Sequence, residues 1–356
     1  MINKYIFYIM LLLAGLIITV SIVAYTVGGD FPIFYHVAKI ILDPNAPNSQ
    51  IYDFLTSDQY SIPQTTPCTY YFYSMAASYI LAPLALLPYY WAKTLFIFLD
   101  FIAYIVAVGI ILYNLGAKER WFFYPLALSI LWFPFVMDIA SGQINSILFL
   151  SIVLAVCAAN KNKTILAGVI LGLAALFKLF PIAIAMVLGL KNWRILAACV
   201  ATIAISFLIP DSLFWIHSLA SRPAGYIPDI YKYLNNLGIY WFWLYSAIVG
   251  LITAIVAWRA RHVDYFSLAS LAIPATFLAA PIIEIYHLTI LIFPYYYLLV
   301  AMKKDRIYIL LLGLSAIAIY CAISILWTVN RVQFAGLLLL WIIALIQTNR
   351  LSQEKI

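Results

Sequence analysis

The chain has 356 residues, of which 66% are hydrophobic and 9% charged, with a mean hydropathy of +1.03 and a formal net charge of +7. A soluble domain holds roughly 45–50% apolar and about 25% charged residues, so there are too few polar side chains here to cover a water-facing surface. That balance excludes a soluble enzyme, a disordered chain and a disulfide-stapled secreted scaffold, and leaves an all-α polytopic integral membrane protein.

A helix that crosses a bilayer takes about 20 mostly apolar residues. In chain order, the runs that meet or approach this length are 5–27, 94–114, 121–137, 144–159, 164–180, 181–190, 195–210, 241–258, 265–281, 288–302, 307–327 and 334–347. They predict about 11–13 transmembrane helices in one unit, residues 1–356. The first run is read as a retained membrane helix, because no small-residue cleavage site follows it. Residues 71–90 are also apolar, but Pro83 and Pro88 interrupt them. Two long stretches remain, residues 28–70 and 211–240. Both are rich in aromatic residues of the kind that favour the headgroup level. The first is expected to form short amphipathic or juxtamembrane helices on the membrane face.

The basic residues set the sides. With Lys4 in the cytoplasm and 71–90 not crossing, 14 of the 20 Lys and Arg fall inside, in loops such as Lys118/Arg120, Lys161/Lys163, Lys191/Arg194, Arg259/Arg261 and Lys303/Lys304/Arg306. The acids sort the other way, with Asp30, Asp43, Asp53, Asp138, Asp211 and Glu284 among those outside. No basic run exceeds two residues, so nucleic acid is not an expected partner. The four cysteines, Cys68, Cys157, Cys199 and Cys321, have no zinc spacing.

Several polar residues stand out against this apolar background. Asp30 lies in Gly28-Gly29-Asp30-Phe31, where the first helix meets outer water. It reads either as a solvated helix-end acid or as a catalytic one. Lys178 lies deep in apolar sequence just before Pro181. An intramembrane lysine suggests a bound anion, such as a lipid phosphate; the alternative is a snorkelling side chain. Glu284 and His287, three apart, would share a helix face and suit metal binding, proton relay or sugar hydroxyls, or else form a plain loop. Gln143, Asn145 and Asn235 are uncharged amides that suit sugar hydroxyls or helix caps. Asp100 lies within an apolar run and suits pairing with a neighbouring helix. Arg222 runs against the positive-inside trend and suits an anionic partner or a bland surface. A transporter of a small anionic or sugar-like solute would also place polar groups in the membrane, but it would predict repeated halves and has little use for two long outer loops.

The segment GGDFPIFYHVAKIIL (28–42), followed by Ile51-Tyr52-Asp53, resembles the first outer loop of the GT-C glycosyltransferases of family 87, the polyprenyl-phosphate-mannose-dependent mannosyltransferases. Residues 70–92 are similar to that family's Tyr-rich, Pro-marked segment, although Tyr71-Phe72-Tyr73-Ser74 replaces its Tyr-Pro-Pro-like start. Residues 141–194 resemble it most, with Gly142-Gln143-Ile144-Asn145, Ala167-Gly168 and Gly172, Lys178 and Pro181, and Trp193-Arg194. Residues 280–294 resemble a third marker around His287, with Ile285-Tyr286 in place of Trp-Asp or Trp-Ser. The resemblance implies a GT-C fold and an inverting sugar transfer from a polyprenyl-phosphate donor to a glycolipid or glycan acceptor. It implies no cofactor, no required metal, and an active site on the outer face of the plasma membrane. Carried across, Asp30 is the catalytic base and Lys178 holds the donor phosphate. By the same resemblance Gln143, Asn145 and His287 line the sugar or acceptor site, and Glu284, Tyr35, Arg222 and Asn235, which it does not supply, complete the candidate substrate-binding set.

Overall fold

A computed structural model of the chain describes residues 30–46, 48–52, 71, 73–117, 119–220, 239–280, 284–303, 305–321 and 331–354. These residues fold almost entirely as helices. Helix α1 (Phe31–Leu42) has Asp30 at its N-cap and Pro32 in its first turn, where the fixed φ of proline suits a helix start. A 3-10 turn (Asn48–Tyr52) follows. Rather than lying on a surface with one apolar face, α1 buries all but one of residues 31–40 in protein. Phe31 and Phe34 pack against Phe96 at 5.4 and 5.6 Å between ring centroids. They form a small core with Ile51, Tyr71, Met75 and Leu148.

Ser74 caps α2 (Met75–Leu81), its Oγ accepting from the Ala77 N–H at 3.2 Å. Pro83 then turns the chain into a 3-10 segment (Ala82–Leu86). Neither piece reaches across a hydrocarbon core of about 30 Å. Helix α3 (Tyr89–Asn114) does, at 26 residues. One face of α3 carries exposed Trp91, Leu95, Phe98, Leu99, Ile102 and Val106. Its opposite face buries Phe96, Ile97, Tyr104, Ala107, Val108 and Ile111. A helix apolar on both faces has no water-facing side.

The single run predicted over 121–137 is two helices, α4 (Glu119–Ile130) and α5 (Phe133–Ser141). Pro134, in the first turn of α5, cannot continue an upstream helix and suits a new start. Helices α6 (Asn145–Asn160), α7 (Thr164–Phe177), α8 (Phe180–Gly189) and α9 (Trp193–Ser206) follow in short antiparallel steps. Gly168 and Gly172 let α7 and α9 approach closely. A Cβ on Gly172 would lie 2.6 Å from Thr202 Cβ and 2.8 Å from the Cys199 carbonyl oxygen. Lys178 stands in extended backbone (φ −143°, ψ 136°) and breaks α7 from α8, whose first turn carries Pro181, a residue that cannot continue an upstream helix.

The remaining helices are α10 (Leu213–Ala220), α11 (Ile239–Arg259), α12 (Tyr265–Ala279), α13 (Ile292–Ala301, preceded by a 3-10 segment Ile285–Leu291), α14 (Arg306–Cys321) and α15 (Arg331–Gln353). By length and composition, Tyr89–Asn114 and Val332–Gln353 are the two described helices able to cross a membrane alone. Most other apolar helices run 10–17 residues, because prolines and caps divide the runs. The main core lies between α3, α5, α6, α12 and α13, with Tyr104 stacked on Phe135 at 3.8 Å.

Candidate functional site

The site assembles where α1, α5, α6 and α7 begin or end. Helix α5 closes on Gly142 in the left-handed conformation, φ +60°, which glycine adopts without a Cβ penalty. The same glycine lets α1 approach: a Cβ there would stand 2.8 Å from Phe31 Cβ. The Asp30 backbone N–H donates to the Ser141 carbonyl at 2.7 Å, locking the start of α1 to the end of α5. Gln143 and Asn145 follow at once, so their amides face the Asp30 carboxyl and the α7–α8 break.

A continuous hydrogen-bonded chain results. Gln143 Nε2 donates to Asp30 Oδ2. Lys178 Nζ donates to Gln143 Oε1 at 3.0 Å and to Asn145 Oδ1 at 2.9 Å. Asn145 Nδ2 donates to Asp138 Oδ1 at 2.6 Å. Each amide therefore turns its oxygen to the ammonium and its nitrogen to a carboxylate, and a flip of either would set like against like. Asp138 Oδ2 accepts from the Ser146 N–H at 3.0 Å and the Ser146 hydroxyl at 2.7 Å. Behind it, Asp100 accepts the Ile147 N–H at 3.1 Å. The Lys178 ammonium stands amid four carboxyl groups, Asp138, Glu284, Asp30 and Asp100. Two of its three protons are spent on the amides. The Tyr286 ring lies 5.2 Å from Nζ.

Tyr286 also brings the third marker into place. Its hydroxyl lies between the Asp30 and Glu284 carboxyls and donates to Glu284 Oε2. Glu284 caps the 3-10 segment, and its backbone N–H donates to His287 Nδ1 at 3.0 Å. An amide N–H can only donate, so Nδ1 accepts and the ring proton sits on Nε2. Burial and the nearby Lys178 ammonium hold His287 well below its ordinary pKa, which keeps it neutral. Burial raises the Asp30 carboxyl above the usual carboxylate value, against the opposing pull of Gln143, Lys178 and Tyr286.

The structure thus brings Asp30, Gln143, Asn145 and Lys178 into one network, with Glu284 and His287 joined to it through Tyr286. Tyr35 is placed apart. Its hydroxyl donates to the Leu87 carbonyl at 2.9 Å, and its ring packs edge-on against Tyr89 at 5.2 Å, a contact that ties α1 to the segment before α3. Arg222 and Asn235 lie outside the described residues. Sequence reasoning passed over Tyr73 and Tyr286. The Tyr73 hydroxyl donates to Gln143 Oε1 at 3.4 Å and its ring packs on Phe34 at 5.2 Å. The Tyr-rich segment 70–73 was its one signal. Among the described residues, no group of three or more His, Cys, Asp or Glu side chains is arranged to hold a metal ion.

Among the described residues the fold is thus all-helical, with apolar outward helix faces and a carboxylate and an ammonium joined by amides at the helix ends. The sequence model of glycosyltransferase family 87 matches residues 71–281, more than half of the chain. The chain belongs to glycosyltransferase family 87 and is a glycosyltransferase. No curated protein and no solved structure matches it. The matched span holds Tyr73, Asp138, Gln143, Asn145 and Lys178, whereas Asp30, Glu284 and His287 flank it.

Proposed function

We propose that the protein is an inverting GT-C glycosyltransferase that moves a sugar, mannose by family habit, from a polyprenyl-phosphate donor to a lipid-linked or glycan acceptor. It works as one transmembrane domain in the plasma membrane, with Asp30 facing the extracytoplasmic side. The observation that carries this reading is the single chain of hydrogen bonds from the Asp30 carboxylate through Gln143 to the Lys178 ammonium. Inverting transfer needs both groups at once. The acceptor hydroxyl attacks the anomeric carbon and gives its proton to a carboxylate, here Asp30. The bond from that carbon to the donor phosphate breaks, and a fixed cation stabilises the charge that builds on the phosphate.

Lys178 has one proton not used by the amides. Asp138 is already supplied by Asn145 and Ser146, and Glu284 by Tyr286. Those carboxylates therefore compete less for the free N–H. His287 Nε2–H is a neutral donor suited to a sugar hydroxyl. Family membership favours transfer over the transport of a small solute.

Asp30→Asn keeps the shape of the N-cap but cannot take a proton. In an assay with purified polyprenyl-phosphate-sugar and acceptor, turnover should fall about 10²–10⁴-fold with donor binding retained. Retention of more than about a tenth of wild-type turnover would assign the base elsewhere, with Glu284 next in line.

A further inference from the structure

A second polar cavity lies far from the sugar site. It has a volume of about 570 Å³ and is lined by Trp258, Arg259, Arg261, His262, Asn349 and Ser352, at the C-terminal ends of α11 and α15. That size is within the roughly 300–1,000 Å³ of small-ligand sites. Its place in the bundle follows from α6. This helix starts at the site with Asn145 and ends at Asn160, whose Oδ1 accepts the Tyr265 N–H at 3.0 Å. The turn joining α11 to α12 therefore lies about 24 Å away, at the opposite end of the 16-residue helix.

The recess is open at the surface, Ser352 being the one buried residue of its lining, and two hydrogen bonds brace it. His262 Nε2 donates to the Ser352 carbonyl at 3.2 Å, and the Ser352 hydroxyl donates to the Arg259 carbonyl at 3.1 Å. These two bonds pin α15 to the turn after α11. The Arg261 guanidinium lies 4.4 Å from the Trp258 ring centre, which holds its planar donor face in place. The charge is unbalanced. Of the acids near this end, Asp305 before α14 and Glu354 after α15 both pair with Arg350, at 4.0 and 3.7 Å, and Asp264 on the α11–α12 turn caps α12 by accepting the Ser267 N–H at 2.9 Å. Neither Arg259 nor Arg261 has a carboxylate partner among the described residues, and no acid lines the cavity. Trp258 is 54% exposed beside them, a side chain that favours the level of lipid headgroups.

Two forked cations and an amide around a headgroup-sized space match a phosphate ester. Arginine takes phosphate oxygens in pairs, and basic pockets between membrane helices on the cytoplasmic side bind phosphorylated headgroups. We propose that this cavity binds the phosphate ester of an anionic lipid headgroup, on the membrane surface opposite the sugar site. The shared chemistry extends to free phosphate, and the test separates the two sources.

The full chain, purified in detergent, is titrated with phosphatidylglycerol, with phosphatidylcholine and with inorganic phosphate, and bound species are counted by native mass spectrometry. Phosphatidylglycerol should be retained over phosphatidylcholine. Changing both Arg259→Gln and Arg261→Gln should weaken it by at least about tenfold. Arg350→Gln, outside the cavity and already paired with acids, should leave it unchanged. Arg259→Lys with Arg261→Lys should recover part of the binding. Binding of inorganic phosphate alone, lost in the same double variant, would support the site with free phosphate as its source. Equal retention of phosphatidylglycerol by the double Gln variant, with its helical circular dichroism intact, would overturn the proposal. So would an equal loss in Arg350→Gln.

Discussion

Gly142→Ala tests how Asp30, the proposed base, is held. Alanine at φ +60° costs about 1–2 kcal/mol as a left-handed L-residue. The new Cβ would also sit 2.8 Å from Phe31 Cβ. Non-bonded carbons rest at about 3.5–4.0 Å, so the start of α1 must retreat by roughly 1 Å. Asp30 precedes Phe31 and is tied by its own N–H to Ser141, so the carboxylate moves with it and away from Gln143. Misplacement of about 1 Å in a reacting group costs on the order of a hundredfold. Gly116→Ala is the control. Gly116 has φ +73° but nothing within 4 Å of an added Cβ, so it carries the backbone penalty without the clash. Thermal unfolding followed by circular dichroism should show both variants destabilised. Sugar transfer from purified donor should fall about a hundredfold in Gly142→Ala only. If Gly142→Ala turned over within about threefold of Gly116→Ala, the idea that α5 sets the position of Asp30 through this contact would be wrong.

Lys178→Met should raise the apparent KM for the polyprenyl-phosphate donor and lower turnover, by roughly ten- to hundredfold for a lost charge-assisted contact. Lys178→Arg should recover only part, since a planar fork cannot replace a point charge between two amides. Donor kinetics unchanged in the Met variant would remove Lys178 from phosphate binding. The pH profile supplies a further check. A base works deprotonated, so turnover falls as pH drops through its pKa, and burial places the Asp30 pKa above the ordinary carboxylate value. The acid limb should therefore lie above that value. Lys178→Met, which removes one of the influences lowering the Asp30 pKa, should move the limb to still higher pH. A limb that stayed put would separate the titrating base from Lys178.

The parts of the site that were legible in the sequence are those where one polar residue interrupts an apolar background. Lys178 and Asp30 each stand out in that way, and Gly142-Gln143-Ile144-Asn145 marks a helix end by its glycine. Their joining was not legible, because Gln143 meets Asp30 across 113 positions and Lys178 meets Gln143 across 35. Tyr286 was hidden for a different reason. Twenty-seven tyrosines are scattered through the chain, so a single one carries no signal until the fold sets its hydroxyl between two carboxyls. Glu284 and His287 do lie close together as their spacing suggested, but the 3-10 turn uses them partly to cap itself. In the fold, the apolar runs located the helices and the division at Pro181 was already visible between 164–180 and 181–190, while Pro134 made two helices of the single run 121–137. Hydropathy averaged over a window does not register such a break.

The brevity of α7 has a consequence for the lipid around it. Its 14 residues rise only about 21 Å between Lys163 and Lys178, against a hydrocarbon thickness of about 30 Å. With Lys161 and Lys163 at one headgroup surface, as the proposed orientation has them, the ammonium at the other end stops short of the opposite surface by several ångströms. On the role proposed for Lys178, a donor phosphate meets it by sinking or by the outer leaflet dimpling toward it. Each costs a fraction of a kcal/mol per ångström of mismatch. The acyl-chain length of the surrounding bilayer thereby becomes a variable in the reaction, and thinner membranes bring the phosphate plane down to the lysine.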